Sequence, residues 1–316
     1  MNSKTHLLAA VLGTGVLLAT ALWAEEGGSG HYLPGSIASF VDGTPPAPAF
    51  VARLNAVSYD GSFDRALPIA GLAPVNVDAQ SFASGLTLLW RPKLQLAPGL
   101  SYALSTTIPY VWLQVEADVT SGASTLRRSS RVDSLGDMVL MPVMLNYAVS
   151  RDLHLDLRGG IYAPTGDYQV GRLANTGKNF WTFEPTLGFL YFGQKNGIEA
   201  SIFVGADFNT ENEDTFYRSG TQFHVDGTLA QHFKLASGLA GVGVTGFWYD
   251  QITGDSGSGA TFGDFKGRTT GVGPALSYTR KIGGADLIAE IKWLHEMETR
   301  NRLEGDYLWL KLIFKF

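Results

Sequence analysis

The sequence contains no cysteine in its 316 residues. Disulfide bonds, thiol catalysis and cysteine-ligated metal sites are therefore excluded. Positive charge is not in excess either, because 24 lysine and arginine residues are outnumbered by 29 aspartate and glutamate residues, for a formal net charge of -5. Nucleic-acid binding relies on a basic surface, so no nucleic-acid partner is expected.

A long apolar run occurs only near the N-terminus. Lys4 and His6 form a short polar start, residues 7–23 are mostly apolar, and Ala24 precedes a hydrophilic stretch. This order is typical of a secretory signal peptide, which we predict to be residues 1–24, with a retained anchor helix as the alternative. No later run reaches the ~18 apolar residues that a membrane-spanning helix needs.

From residue 49 onward the apolar residues recur mostly at every second position, which is the period of a β-strand. Residues 198–209, for example, alternate between an apolar face and a face that carries Glu199 and Asp207. Most of the alternating segments reach the ~9 to 11 residues with which a tilted strand crosses a bilayer. The predicted strands are residues 50–59, 82–94, 100–119, 135–149, 153–163, 181–192, 198–209, 220–233, 239–251, 267–280, 285–295 and 306–316.

The connections alternate between short turns and longer polar loops, such as residues 97–99 and 120–134. This pattern is typical of outer-membrane barrels, which have short periplasmic turns and longer external loops. A sheet in hydrocarbon must close on itself, because lipid offers no partner to an unpaired edge. We therefore predict an all-β transmembrane antiparallel up-and-down β-barrel of about twelve strands at residues 49–316. It would lie in the outer membrane of a Gram-negative-type bacterium, and an even strand count would put both termini on the periplasmic side.

The last predicted strand is expected to be the closing seam of the barrel. Its alternate positions are apolar or aromatic up to the final residue and are expected to face lipid, whereas Lys311 faces the interior. A terminal aromatic in this pattern resembles the signal that such proteins present to the barrel-assembly machinery. That machinery, outer-membrane lipid and lipopolysaccharide are therefore expected partners. The signal residues are Leu308, Leu310, Leu312, Phe314 and Phe316.

Aromatic residues near the predicted strand ends are expected to form interfacial girdles. They are Trp112, Trp181, Trp248, Tyr249, Trp293, Tyr307 and Trp309. Four prolines argue against uninterrupted strands, because proline removes a donor from the hydrogen-bond ladder. Bulges or kinks are therefore expected at Pro109, Pro142, Pro185 and Pro274.

Five stretches stand out by their order and spacing. They are GHYLPGSIASFVDGTPPAP (residues 30–48), GDMVLMPVMLNY (136–147), YAPTGDYQVGRLANTGKNFWTFEPTLGFLY (162–191), FYRSGTQFHVDG (216–227) and DSGSGATFGDFKGRTTGVGP (255–274). Together they resemble the MetA-pathway phenol degradation family (SphA-like) of outer-membrane proteins, over nearly all of the predicted mature chain. The resemblance implies a barrel connected with the metabolism of aromatic or hydrophobic compounds and with their uptake. It implies no catalytic residue.

The inward positions of the predicted strands collect charges of both signs. The candidate lumen-lining residues are Arg53, His154, Asp156, Arg158, Glu199, Asp207, His224, Asp226, Glu290, Lys292 and Lys311. They either satisfy one another in a hydrated interior or line a solute path. Mixed signs argue against strong selection for anions or cations, and about twelve strands give a narrower bore than the ~16 to 18 of general porins.

Residues 25–48 precede the first predicted strand and are rich in glycine and proline. Apolar side chains occur among them more often than in a plain linker. The stretch is either a flexible periplasmic arm or a plug that folds into the lumen. The candidate plug residues are Tyr32, Leu33, Ile37, Phe40 and Val41.

The remaining patterns do not indicate further chemistry. Residues 241–246 match a dinucleotide fingerprint but lie inside an alternating strand, so no cofactor is expected. The acidic residues 211–214 suit a solvated loop tip or, through divalent cations, a contact with lipopolysaccharide. Residues 255–259 lack the spacing of a calcium loop, so no metal site is predicted. His224 and Asp226 share one strand face without an identifiable nucleophile, and we do not expect an enzyme.

The predicted function is passive uptake of small hydrophobic or aromatic, phenol-like solutes through an outer-membrane channel. Capture of the solute is expected at the loop aromatics Phe180, Trp181, Phe216 and Tyr217, followed by diffusion through a narrow lumen. The alternatives are a structural or adhesive barrel without transport and, with less support, an outer-membrane lipid hydrolase.

Overall fold

The computed structural model describes residues 28–122, 124–261, 263 and 266–316. The predicted signal peptide, residues 1–24, lies outside the described residues. None of the helices in the described ranges is long and apolar enough to cross a membrane. A short 3-10 helix, Phe40–Asp42, precedes the strands.

Long β-strands make up most of the described chain. Two of them, at residues 153–163 and 198–209, have the bounds that their alternation predicts. The strands are β1 (Ala49–Phe63), β2 (Val75–Arg91), β3 (Gln95–Ala97), β4 (Leu100–Ser121), β5 (Ser124–Leu135), β6 (Met138–Ala148), β7 (Leu153–Ala163), β8 (Thr182–Phe192), β9 (Ile198–Asn209), β10 (Gln222–Leu235), β11 (Gly238–Gln251), β12 (Arg268–Ile282), β13 (Ala285–Arg300) and β14 (Glu304–Lys315).

The strands form one closed antiparallel sheet. Neighbours in sequence pair from β6 to β14, β14 pairs with β1, β1 with β2, and β2 with β4, while β4 pairs back to β6. Within the described ranges, fourteen strands fill twelve positions of this ring. β5 and β6 occupy the same position, each pairing with a different part of β4, and the short β3 only pairs with the start of β4. The predicted all-β barrel is therefore confirmed.

The last strand closes the barrel, as predicted from its alternation. Its register with β1 runs from Val51 opposite Lys315 to Ser62 opposite Glu304. Its two faces differ sharply, since Leu310 is 44% exposed on the outside whereas Lys311 is fully buried inside. Phe316 exchanges backbone hydrogen bonds with Phe50 at 2.9 and 3.2 Å, so the pairing continues to the final residue.

One predicted loop is a strand instead. Residues 120–134 were expected to connect two strands, but most of them belong to β5, which forms a hairpin with the far half of the 22-residue β4. Residues 124–129 are exposed and mostly polar on both faces, so the first half of β5 carries little apolar alternation. This part of the chain is a strand because it pairs with β4, which the pattern of apolar residues does not predict. The hairpin extends the barrel wall beyond the region where β6 takes over.

Each of the four strand prolines lies where the hydrogen-bond ladder to at least one neighbouring strand is interrupted. Pro142 lies in a register shift that separates β6 from the regular pairing with β4 and β7. Pro109 lies between the part of β4 that pairs with β6 and the part that pairs with β5. Pro185 and Pro274 each fall in a gap of the pairing with one neighbouring strand. A missing N–H therefore costs little at these positions.

We refer below to the two ends of the barrel by what they carry. The termini end is where β1 begins and β14 ends, and the short turns lie there. The loop end carries the β1–β2 loop, the β4–β5 hairpin and the β7–β8 loop of residues 164–181. Residues 28–48, which we call the N-terminal segment, lie inside this barrel.

Candidate functional site

The N-terminal segment runs through the lumen from the loop end to the termini end. Gly28 lies against Leu67 of the β1–β2 loop. Thr44, near the other end of the segment, hydrogen-bonds to Asp156 near the start of β7. The start of β1 and the end of β14 thus lie at one end of the barrel, whereas residue 28 lies at the opposite end. A periplasmic position of both termini stays a prediction.

His31 fixes the segment at the loop end. Its Nε2 lies 2.9 Å from a carboxylate oxygen of Asp137, and its Nδ1 lies 2.7 Å from the Thr182 hydroxyl. Asp137 also accepts backbone N–H groups from Gly166 at 2.8 Å and Lys178 at 2.7 Å. Burial by itself would raise the pKa of Asp137, but the hydrogen bonds from His31 and the two amides outweigh it and lower that pKa. This carboxylate therefore stays charged and able to hold His31.

The middle of the segment contacts an acidic side of the lumen, formed by β8, β9 and β10. The Tyr32 hydroxyl and the Gly35 N–H donate to the two oxygens of Asp226, at 2.9 and 2.8 Å. The Phe40 N–H donates to Glu199 at 2.7 Å. The Tyr32 ring also stacks on the imidazole of His224, with the ring centroids 4.0 Å apart.

The opposite side of the segment contacts a basic side of the lumen, formed by β13, β14 and β1. Three successive backbone carbonyls of the segment accept hydrogen bonds there. Pro34 accepts from the Trp309 indole at 2.9 Å, Gly35 from Lys292 at 2.7 Å, and Ser36 from Lys311 at 2.8 Å. These carbonyls satisfy donors that the barrel wall points into its own interior.

Asp42 is the charged centre of this contact. Lys311 Nζ lies 2.7 and 2.9 Å from its two carboxylate oxygens, and Arg53 donates to one of them at 3.0 Å. Arg53 also donates to the Val41 carbonyl at 3.0 Å, and Arg158 donates to the Asp42 carbonyl at 2.8 Å. Asp42 and Lys311 are fully or almost fully buried. A buried charge of this kind is tolerated only when it is paired and hydrogen-bonded, so the segment and the wall depend on each other.

A cavity of about 340 Å³ remains beside the N-terminal segment. The wall that it follows is formed by β1, β2, β4 and β6, and its lining mixes hydroxyl and amide groups with apolar side chains. Thr87 hydrogen-bonds there to Asn55 at 3.1 Å and to Thr107 at 2.8 Å, so these polar groups are largely paired with each other. Met141 and Met144 supply adaptable apolar surface nearer the termini end.

A second pocket of about 150 Å³, also lined mostly by apolar side chains, lies at the loop end. It adjoins the larger cavity, because Leu33, Tyr59, Lys178, Arg302 and Tyr307 line both. An apolar cavity of ~150 Å³ in another protein stays dry and binds benzene, so this volume suits a single aromatic ring. Its apolar lining consists of Leu67, Ile69, Ala70, Val77, Ala79, Leu113, Val115, Leu173 and Leu303.

The eleven candidate lumen-lining residues lie on the inward side, and most hold each other or the N-terminal segment. Asp156 pairs with Arg158 at 2.5 Å, Glu199 with His232 at 2.8 Å. Glu290 pairs with Lys292 at 3.1 Å. His154 contacts Asn146 at 3.1 Å. The remaining ones are Arg53 and Lys311 at Asp42, and Asp207, His224 and Asp226 on the acidic side. Whether any of them lines a solute path stays a prediction.

The candidate plug residues differ in how deeply they are buried. Tyr32 and Val41 are buried, whereas Leu33, Ile37 and Phe40 are half-buried. Phe40 packs its ring against Phe192 and His232, with centroid distances of 5.1 and 4.9 Å. Leu33 lines both cavities and Ile37 lines the larger one.

The structure separates the four candidate capture residues. Phe180 is buried against the His31 ring, and Tyr217 is buried with its hydroxyl on Asp255. Neither is therefore available to a solute at the surface. Trp181 and Phe216 are exposed, but none of the four lines either of the two cavities described here.

Three of the expected girdle aromatics are in the lumen instead. Tyr249, Tyr307 and Trp309 are buried on inward positions of β11 and β14. Trp309 and Lys311 lie two residues apart on one strand and so share a face. Because Lys311 is expected to face the interior, the alternation already predicts that Trp309 faces the interior too. The position of Trp309 near a strand end, which suggested an interfacial girdle, was the weaker signal.

Sequence reasoning missed the loop-end pocket. Its floor comes partly from the β1–β2 loop, although the alternation predicts one of the longer polar loops at residues 60–81. Leu67, Ile69 and Ala70 are all buried there, and Ile69 and Leu72 bond to each other through the backbone in a tight turn. The apolar run LPIAGLA at residues 67–73 was the available signal, because a solvated loop has no need of it.

Residues 63–312 match the family described as "Putative MetA-pathway of phenol degradation". The chain belongs to this family. Membership confirms the resemblance to the family, and the match contains four of the five sequence stretches, all but residues 30–48. It spans almost the whole barrel of this family member. None of the curated protein sequences matches the chain.

Three solved structures resemble this family member to different degrees. The COG4313 outer membrane channel from Pseudomonas putida F1 is 15% identical, with a TM-score of 0.65, and the match covers 90% of this chain and 100% of that one. The β domain of the Bordetella autotransporter BrkA is 14% identical, with a TM-score of 0.49 and coverage of 85% and 100%. A Pseudomonas aeruginosa FadL homologue is 6% identical, with a TM-score of 0.39 and coverage of 85% and 89%. The first of these shows that the chain has the fold of an outer-membrane barrel.

Proposed function

We propose that the protein is an outer-membrane channel for passive passage of small hydrophobic or aromatic solutes of the size of phenol. The observation that carries the proposal is the apolar loop-end pocket of about 150 Å³, which adjoins the lumen cavity of about 340 Å³. One aromatic ring fits the first and can continue into the second. The family to which the chain belongs is described by phenol degradation, which agrees with this solute class.

The proposed orientation puts the loop end outside and the termini end in the periplasm. Outer-membrane barrels have long external loops and short periplasmic turns, and the chain has this asymmetry. A solute would then meet the apolar pocket first. Tyr168 and Tyr307, at the pocket, offer aromatic surface, and Lys178 and Arg302 lie beside it where a phenol hydroxyl could be accommodated.

The N-terminal segment is the proposed gate. It fills the lumen beside the larger cavity, and its contacts at His31, Tyr32 and Asp42 are spread over its length. The segment has to shift for a solute to leave at the termini end, because Asp42, Arg53 and Arg158 lie along that part of the cavity. No energy coupling or cofactor enters this mechanism, in which the solute follows its own gradient.

The alternatives have less support. A structural or adhesive barrel does not account for an apolar pocket that continues into the lumen. A hydrolase needs a nucleophile beside its base, and within the described residues His224 makes no hydrogen bond to a serine or threonine hydroxyl. The chain is therefore proposed to act without covalent chemistry.

The experiment is solute flux into liposomes that contain the purified protein. Phenol and toluene are compared with a sugar, and Val115→Trp, which fills the loop-end pocket, is compared with Gln114→Trp on the outward face of the same strand. We expect phenol flux to exceed sugar flux in the wild type, and to fall several-fold in V115W but not in Q114W. Equal and negligible flux of all solutes, or full flux in V115W, would overturn the proposal.

A further inference from the structure

An imidazole on the acidic side of the lumen is surrounded by carboxylates. His224 Nε2 lies 3.6 Å from Glu184 Oε1 and 3.8 Å from Asp207 Oδ1, and its Nδ1 lies 3.6 Å from Asp226 Oδ2. His224 is 3% exposed, yet neither ring nitrogen makes a hydrogen bond within the described residues. Buried nitrogens are almost always hydrogen-bonded, so both nitrogens of this ring can still take a ligand.

The strand register brings these groups together. Pairing of β8 with β9 places Glu184 across from Asp207, since Phe183 faces Phe208 and Thr186 faces Gly205. Pairing of β9 with β10 places His224 opposite Gly205. A Cβ on Gly205 would lie 2.4 Å from the imidazole, so only glycine leaves room for the ring there. The three side chains thus converge from three adjacent strands.

We propose that Glu184, Asp207 and His224 bind one divalent transition-metal ion such as Zn²⁺. One ligand atom from each of the three lies within 4.8 Å of the others. Zinc bonds of ~2.0 to 2.2 Å to nitrogen and oxygen put tetrahedral ligand atoms roughly 3.4 Å apart. The imidazole nitrogen is already close to that spacing from both carboxylates, at 3.6 and 3.8 Å, and the two carboxylates would move toward each other to complete the site. An imidazole ligand favours a transition metal over Ca²⁺ or Mg²⁺.

The surroundings favour a cation. Among the described residues, Glu184 and Asp226 have no ion-pair partner other than His224. A divalent ion would offset the negative charge that is buried here. Hydrogen bonds from Tyr162 and Thr186 orient Glu184, at 2.6 and 2.8 Å, in the way that outer groups orient metal ligands. Tyr32 stacks on the face of the ring and leaves the in-plane nitrogens free for a metal.

The ion would fasten the wall behind the N-terminal segment. Tyr32 and Gly35 of the segment bind Asp226, the third acidic neighbour of His224. Metal at His224 would hold the ring on which Tyr32 stacks. This role is independent of solute passage, so failure of one proposal leaves the other standing.

The test is Zn²⁺ binding to full-length protein in detergent, after treatment with a chelator, by calorimetry and metal analysis. A lost metal-orienting contact costs ~10 to 100-fold in affinity, so His224→Gln and Asp207→Asn, which remove ligands, should cost more than ~100-fold. His232→Gln is the matched control, because His232 pairs with Glu199 at 2.8 Å elsewhere in the same lumen. Slower gel migration on boiling checks that each variant is folded.

Co²⁺ provides a spectroscopic test, because its visible absorption would not depend on His224 and Asp207 if these residues only supported the structure. We expect wild type and H232Q to bind one Zn²⁺ and to show the visible absorption bands of Co²⁺ in a protein site, and H224Q and D207N to lose both. The proposal is overturned if the wild type binds no metal. It is equally overturned if folded H224Q and D207N bind as the wild type does, or if H232Q loses the metal as fully as they do.

Discussion

Replacing Asp42 with asparagine should release the N-terminal segment from the lumen wall. The substitution keeps the shape of the side chain but removes the charge that lies 2.7 to 2.9 Å from Lys311 and 3.0 Å from Arg53. Lys311 is fully buried, so it cannot turn to water while the segment stays in place. Movement of the N-terminal segment away from the wall would expose the Lys311 ammonium group to water.

The magnitude follows from the burial of the pair. Removing one partner of a buried ion pair costs about 3 to 5 kcal/mol, because the other charge is left uncompensated. At about 1.4 kcal/mol per tenfold change, the docking equilibrium should shift by roughly two to four orders of magnitude toward the undocked state. Glu290, which is 3.6 Å from Lys311, would retain part of the charge balance, so the lower figure is the safer expectation.

The absence of cysteine makes the assay simple. A single Ser36→Cys substitution, in the segment and on the lumen cavity, serves as the reporter, and its rate of modification by a water-soluble maleimide measures how often the segment leaves the wall. We expect D42N to raise this rate at least 100-fold, in line with the smaller shift derived above, and to raise single-channel conductance in a planar bilayer.

A matched control is Asp286→Asn at the termini end. Asp286 pairs with Lys315 at 2.6 Å, but both side chains are partly exposed, and such pairs contribute only about 0 to 1 kcal/mol. D286N should therefore leave labelling and conductance unchanged. Labelling of D42N at the wild-type rate, with the protein correctly folded, would refute the view that Asp42 holds the segment.

Two further predictions concern pH and the seam. Burial would raise the pKa of Asp42, but Lys311 and Arg53 outweigh it and hold that pKa well below the usual range. Its contribution to docking is thus complete above the ordinary aspartate pKa of about 3.9 and is lost only as pH falls through the depressed value, so wild-type labelling and conductance should not rise between pH 7 and pH 4. At the seam, a Cβ on Gly305 would lie 1.9 Å from the Asp60 carbonyl oxygen, so Gly305→Ala should destabilise closure by about 1 to 3 kcal/mol and lower the temperature at which the folded gel band is lost. Gly159→Ala is the control for the seam, because a Cβ there meets nothing within 4 Å. Equal melting temperatures of the two glycine variants would contradict the prediction for the seam. A rise in wild-type labelling near pH 5 would contradict the prediction for Asp42.

Alternation predicted the barrel because each strand carries the signal by itself. Lipid outside and polar groups inside impose a period of two on every crossing, whichever strands become neighbours. The bounds at residues 153–163 and 198–209, and the inward position of Lys311, follow from that period alone. Closure follows as well, since an open edge has no partner in hydrocarbon.

The site was less predictable because its contacts join distant parts of the chain. Asp42 meets Lys311 across 269 positions, and Tyr32 meets Asp226 across 194. The sequence indicated that the segment held apolar residues, but not which wall residues would accept them. The acidic centre at His224 likewise depends on the register of three strands, which the alternation leaves undetermined.

Most charges of the lumen are separated across its width, with Glu290 as an acid on the basic side, and this bears on what could pass. Glu184, Glu199, Asp207 and Asp226 lie on β8, β9 and β10, whereas Arg53, Lys292 and Lys311 lie on β1, β13 and β14. The N-terminal segment satisfies both sides, with donors toward the acids and with carbonyls and Asp42 toward the bases. Once it moves, an ion of either sign meets one attractive and one repulsive wall, so neither sign is strongly favoured. A small neutral aromatic solute is neither attracted nor repelled by these charges in the same way. It would collect in the apolar pocket at the loop end before it enters the lumen.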